Sequence, residues 1–184
     1  MSSIPSQLLL QVFLILLNGF FAATEIAVIS LNATKLRKMA EEGDKSAPRL
    51  LKLVEEPAGF LSTIQIGITL AGYLGSAFAA ENFSDYIVDW IYNDLAFQEI
   101  SLSALNAISI VIITIILSYF TLVLGELVPK RIAMQKPLEV ARVTSVVVGA
   151  IAVVMKPVIW LLSVSTNGML RLLGLKTEAE DETV

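Results

Sequence analysis

Residues 102–130, LSALNAISIVIITIILSYFTLVLGELVPK, decide the fold class. From Leu102 to about Val128 the run is long enough, as a helix, to cross a hydrocarbon core, and it closes on Gly125-Glu126-Leu127-Val128-Pro129-Lys130. An acid at the edge of a bilayer span needs a partner. Proline has no amide hydrogen, so a helix that continues through Pro129 leaves the Gly125 carbonyl without its usual donor four residues on. That oxygen then lies beside the Glu126 carboxylate, and two hard oxygen donors at membrane depth suit a hard cation. The plainer alternative is a proline-terminated helix whose Glu126 pairs with Lys130, one turn on, at the water interface.

The rest of the chain has the same character. Its 184 residues are 55% hydrophobic with a mean hydropathy of +0.75, which predicts an all-α integral membrane protein. Two more segments are of span length, Ile4 to about Leu31 and Ala58 to about Ala80. A fourth apolar stretch, Val143 to Leu175, is interrupted by Lys156-Pro157, so a simple fourth crossing is not expected. Cysteine and histidine are absent, which excludes disulfides, thiolate metal sites and imidazole proton shuttles. No nucleophile triad, P-loop or dinucleotide fingerprint is present, and no enzymatic activity is expected. Residues 1–17 carry no Lys or Arg and the apolar run continues past Ala22-Ala23, so the first segment is expected to be retained rather than cleaved.

The bases set the expected orientation. Lys35, Arg37, Lys38, Lys45, Arg49 and Lys52 separate the first two spans, whereas Glu81, Asp85, Asp89, Asp94 and Glu99 separate the second from the third without a base. The positive-inside rule puts the first loop in the cytoplasm and the N-terminus outside a plasma membrane. Bases on both sides of the fourth stretch argue against another crossing. Pro137 and Pro157 divide it into segments of about 138–155 and 158–174, as for amphipathic helices at the inner interface. The expected organisation is a three-span core over 1–136 with a cytoplasmic helical hairpin at about 32–56 turning at Gly43-Asp44, juxtamembrane helices over 137–175, and an acidic linker over 176–184 leading to a cytoplasmic region beyond Val184.

Each span carries polar residues. Asn18 and Glu25, seven apart, share a face of the first helix with Thr24 at its edge; Ser62, Gln65 and Thr69 follow i, i+3, i+7 on the second, beside Thr63; Ser118, Thr121 and Gly125 repeat that spacing and lead into Glu126. Three stripes predict one shared polar interior. Any single Thr among them can equally bond its own i−4 carbonyl, and Glu25 can equally cap its helix or pair with Lys35 or Arg131. Ala71, Gly75 and Ala79 form a small-residue ladder, with Gly67 a further close-approach position, suited to tight packing within or between subunits. Three spans enclose little volume, so a symmetric dimer is expected.

Three motifs in order, Asn18-Gly19-Phe20-Phe21-Ala22-Ala23-Thr24-Glu25-Ile26-Ala27, Leu61-Ser62-Thr63-Ile64-Gln65-Ile66-Gly67-Ile68-Thr69-Leu70-Ala71-Gly72 and Gly125-Glu126-Leu127-Val128-Pro129-Lys130, resemble the transmembrane domain of the CorC/CNNM (hemolysin C-like) magnesium transporter family over nearly the whole chain. The resemblance implies a homodimer with three membrane helices per subunit, a belt of juxtamembrane helices and a Mg²⁺ site between the helices. It also implies Mg²⁺ export driven by inward Na⁺, with ATP bound only by cytoplasmic domains beyond Val184. Carried over by position, the metal-site candidates are Asn18, Thr63, the Gly125 carbonyl and Glu126, then Thr24, Gln65 and Thr69, with Glu25, Gly67, Pro129 and Lys130 in support. Many members have serine where Ala22 stands and asparagine where Ile68 stands, so the ligand set here differs in detail. A non-conducting membrane anchor and dimerisation module for a regulatory cytoplasmic domain is the competing expectation. The buried polar stripes favour transport, because an anchor has no use for them.

Overall fold

The computed structural model describes residues 4–94 and 101–175; the acidic 176–184 run and positions 95–100 of the acidic loop lie outside the described residues. Among the described residues the regular structure is helical throughout. The helices are α1 (Ile4–Ile29), α2 (Ala33–Glu41), α3 (Ala47–Glu55), α4 (Ala58–Asp89), α5 (Leu102–Leu122), α6 (Val128–Gln135), α7 (Pro137–Val154) and α8 (Lys156–Leu172). α4 runs on into a π-helical turn at Trp90–Asp94, well past the Ala80 end expected of it. A second π-helical turn, Val123–Leu127, joins α5 to α6, so Leu102–Gln135 forms one continuous rod of 34 residues.

Among the described residues, four helices are long and apolar enough to cross a membrane: α1, α4 with its extension, the α5–α6 rod, and α7. The fourth differs from the three expected because the helix break falls at Met155, leaving α7 a full 18 residues. At 1.5 Å per residue it is about 27 Å long, the short limit for a crossing.

The hairpin of α2 and α3 folds on local signals. Asn32 caps α2 by accepting from the Lys35 amide at 3.0 Å, and the chain reverses through Gly43, whose φ of +93° favours a residue without a side chain. Asp44 then caps α3, its Oδ1 accepting from the Ser46 hydroxyl at 2.6 Å, the Ser46 amide at 2.8 Å and the Ala47 amide at 3.2 Å, while its Oδ2 accepts from the Arg142 guanidinium of α7. These bonds, the Ser46 hydroxyl foremost, hold the Asp44 carboxyl below its ordinary value. The hairpin is anchored by Leu36 and Leu50, both fully buried in a cluster with Phe21, Ala27 and Val28 of α1, Phe60 and Ile64 of α4, and Ala141 and Val148 of α7. α1 is thus the central helix, touching α4, the α5–α6 rod and α7. At the other extreme, α8 buries no residue at all, and α5 buries only Leu105, Ser109 and Ile113.

Candidate cation site at the break in the third long helix

The chain continues helically through Pro129, and the π-helical turn before it carries the Val128 amide to the Val123 carbonyl, five residues back. Pro129 has no amide hydrogen to give the Gly125 carbonyl. That oxygen accepts instead from the Asn18 side-chain amide of α1, at 2.8 Å and in a buried setting. Two motifs 107 residues apart therefore meet through the one backbone oxygen that proline releases.

Glycine permits the approach. A β-carbon on Gly125 would stand 3.1 Å from the Ile15 carbonyl and 3.3 Å from the Asn18 amide nitrogen, and one on Gly19 would stand 2.9 Å from the Pro129 ring. On the other flank, a β-carbon on Gly67 would lie 2.5 Å from the Phe21 ring, so α4 also closes onto α1 at a glycine. All three motifs interlock around residues 18–21 of α1.

Glu126 points elsewhere. Its carboxylate is 3.1 Å from the Lys130 ammonium, which also lies 3.5 Å from Glu25 of α1. One base thus sits between two acids in a half-buried cluster. Glu126 also reaches the end of a groove of about 540 Å³ between α4 and α5, lined by Thr69, Ser76, Ser118 and Thr121 among apolar neighbours. Polar groups from two helices line a groove that opens on the outer face of the protomer.

The remaining candidates separate. The hydroxyls of Thr24 and Thr63 are buried and donate to their own i−4 carbonyls, Phe20 at 2.7 Å and Gly59 at 2.9 Å, which leaves their oxygen lone pairs as acceptors. Gln65 is exposed and its amide approaches Thr69 only at 3.5 Å. The single shared interior expected from the three stripes is, within one protomer, two regions: a buried Asn18–Gly125 contact and the open Thr69–Glu126 groove. The reason is helical phase, since Gly125 and Glu126 are neighbours and successive residues of a helical turn point in different directions.

The small-residue ladder is spent inside the protomer. Ala71, Gly75 and Ala79 are all buried, and the Gly75 carbonyl accepts from the Gln11 side chain of α1 at 2.9 Å, so this face packs within the subunit. Gln11 is a polar residue that the sequence stripes passed over. It lies seven before Asn18 and fourteen before Glu25, and that heptad spacing was the available signal. Its amide oxygen is buried without a partner, beside Gly72 and Thr121. No group of three or more acidic side chains that could hold a metal occurs among the described residues, so a cation here would rely on backbone and amide oxygens with one carboxylate.

Comparison with known proteins places this geometry in context. The family model described as the cyclin M transmembrane N-terminal domain matches residues 9–184. A UPF0053 protein of Synechocystis is 35% identical over 96% of this chain and 39% of its own length, and a UPF0053 inner membrane protein of Escherichia coli is 31% identical over 88% and 34%. A protein of Haemophilus influenzae named polyamine export protein is 29% identical over 92% of this chain and 38% of its own length. The chain therefore spans about two fifths or less of the length of these relatives.

Proposed function

This chain belongs to the cyclin M (CNNM) family of transmembrane domains, and from that premise we propose that it is the membrane-crossing part of a Mg²⁺ exporter, coupled to inward Na⁺, working as a homodimer in the plasma membrane. The observation that carries the reading is the Gly125 carbonyl, released from its helix by Pro129 and a π-helical turn and paired with the side-chain amide of Asn18. An amide N–H is the partner this oxygen takes when no cation is near. Rotating the Asn18 amide by half a turn replaces the donor by an oxygen, and the two oxygens then form half of a cation's shell. Glu126, next in the chain, supplies the negative charge from the groove side once Lys130 releases it.

Exposure supports the dimer. The α4–α5 groove opens outward, and the α5 surface around it is largely uncovered, so a second copy would turn an open polar groove into an enclosed one. Three crossings, with the N-terminus outside and the C-terminus cytoplasmic, are supported by the packing of α7. Arg142 near its start bonds Asp44 of the hairpin turn, and Gly149 and Val153 near its end share a groove with Arg49 and Lys52 of α3. A helix that stays near the charged hairpin along its length supports an interfacial position for α7 over a fourth crossing.

A second cargo has its own support. The Lys130 ammonium sits between Glu126 and Glu25, so the pair accepts a primary ammonium, the group at each end of a polyamine. Reconstituted vesicles reading Mg²⁺ flux and radiolabelled spermidine flux in parallel separate the two. Mg²⁺ export is supported if Mg²⁺ moves, spermidine does not, and Glu126→Ala abolishes the flux in a protein that remains folded. Full Mg²⁺ flux in Glu126→Ala places the path elsewhere, and spermidine flux without Mg²⁺ flux makes the cargo a polyamine.

A further inference from the structure

At the hairpin end of the bundle, a groove of about 560 Å³ lies where α3, the start of α4, the end of α7 and the start of α8 converge. Its rim carries Arg49, Lys52 and Lys156 against the single acid Glu56. Other bases near this face are paired, Arg37 with Glu55 at 2.7 Å, Lys38 with Glu42 at 3.9 Å, Lys136 with Glu139 at 3.6 Å and Arg142 with Asp44, while Lys35 and Lys45 have no ion pair among the described residues but are exposed and do not line the groove. None of the ion pairs among the described residues involves Arg49, Lys52 or Lys156, and Arg49 spends one donor on the Arg142 carbonyl at 3.1 Å. The floor is apolar, with Phe60 and Val153, and Trp160 stands two-thirds exposed at the mouth. The start of α4 adds backbone donors there, because its first turn has no side-chain cap and Gly59 leaves it uncovered.

A basic rim over an apolar floor, at the level where charged hairpin meets membrane helices, matches an amphiphile with an anionic head. Tryptophan at the mouth fits the same boundary, since its ring is apolar and its N–H polar. We propose that this groove binds an anionic glycerophospholipid, the phosphate held by Arg49, Lys52 and Lys156 and one acyl chain laid along Phe60 and Val153 toward Trp160. The lipid joins four helices at one point. It would also fasten α8, which has no buried residue of its own and touches the bundle only lightly, against α4 and α7. This inference depends on the chain lying in a membrane and is independent of which ion it carries.

The test is the thermal midpoint of the purified chain in neutral detergent with phosphatidylglycerol, phosphatidylcholine of the same acyl chains, or inorganic phosphate. A ligand at a hundredfold over its Kd raises the midpoint of a chain this size by about 5–10 °C. That rise is expected with phosphatidylglycerol alone, is expected to vanish in Lys52→Gln/Lys156→Gln, and is expected to persist in Lys35→Gln/Lys45→Gln, which removes the same charge from exposed hairpin positions. Equal response to phosphatidylcholine, a full response to inorganic phosphate, retention in the groove variant, or equal loss in the control each overturns the proposal. Should the groove variant fail to fold, Trp90→Phe leaves Trp160 as the only indole. Brominated phosphatidylglycerol should then quench it several-fold more than brominated phosphatidylcholine, and equal quenching overturns the assignment.

Discussion

Replacing Asn18 tests whether the released carbonyl is both a structural debt and a cation ligand. Asn18 is 4% exposed and gives the Gly125 oxygen a bond of 2.8 Å, and the backbone offers no substitute donor because position 129 is proline. Asn18→Ala strands a buried carbonyl, at a cost of about 1–3 kcal/mol. For a chain of this size each kcal/mol shifts the midpoint by about 2–4 °C, so the expected drop is about 2–12 °C in the absence of divalent cations. Asn18→Asp is the sharper variant. It keeps the shape but sets a carboxylate oxygen against the carbonyl, so it should be at least as unstable in chelator yet recover strongly on adding Mg²⁺, which bridges the two oxygens. Scanning fluorimetry in detergent, with chelator and with Mg²⁺, reads both effects. Wild-type stability of Asn18→Asp in chelator, or a wild-type Mg²⁺ response in Asn18→Ala, refutes the reasoning.

Pro129→Ala restores an amide that can reach the Gly125 carbonyl, so Mg²⁺-dependent stabilisation should weaken with no side-chain ligand altered; an unchanged Mg²⁺ titration would mean that the helix does not recapture the oxygen. Gly67→Ala drives a β-carbon into the Phe21 ring and should cost about 1–3 kcal/mol, with less than additive loss when combined with Phe21→Leu; full additivity in thermal melts would deny the contact. Gly75→Leu should lower the yield of folded protomer, because the new side chain collides with Gln11 and Leu14; a folded chain defective only in association by light scattering would return the ladder to the dimer interface. Asp44 has its folded pKa depressed from 3.8 by its bonds to Ser46, Ala47 and Arg142, so its contribution is present above that value and is lost as pH falls through the lower folded one. Wild-type melts should therefore fall on acidification below about pH 4 more steeply than Asp44→Asn melts, and parallel profiles would remove this role.

Much of the architecture was legible because bilayer solvent leaves few options. Span-length apolar runs had to be helices, and Pro137 and Pro157 marked where helices restart, which α7 and α8 follow. The carbonyl released at Gly125 was legible too, since it depends only on the covalent fact of proline. Its partner was less so: stripes on separate helices give each helix a polar side, but not which sides meet. The π-helical turn at Val123–Leu127 adds a residue to the rod and shifts the phase of all that follows, and nothing in VLGEL announces it. Thr24 and Thr63 stood in the stripes, and their hydroxyl protons go to their own helix, as single Thr residues in such helices commonly do. The number of span-length helices was the hardest to read, because the break falls just before Lys156 and leaves α7 long and apolar enough to cross.

The central place of α1 has a consequence for how the chain is made. Gln11 finds its acceptor 64 residues later and Asn18 finds its own 107 residues later. When α1 leaves the translocon, neither amide has anything to bond but lipid or the exit channel, and both stay exposed to that cost until α4 and then the α5–α6 rod arrive in order. Each later helix thus brings the acceptor for one amide on α1, and a chain ending before Gly125 would leave Asn18 without the partner it has in the folded protein.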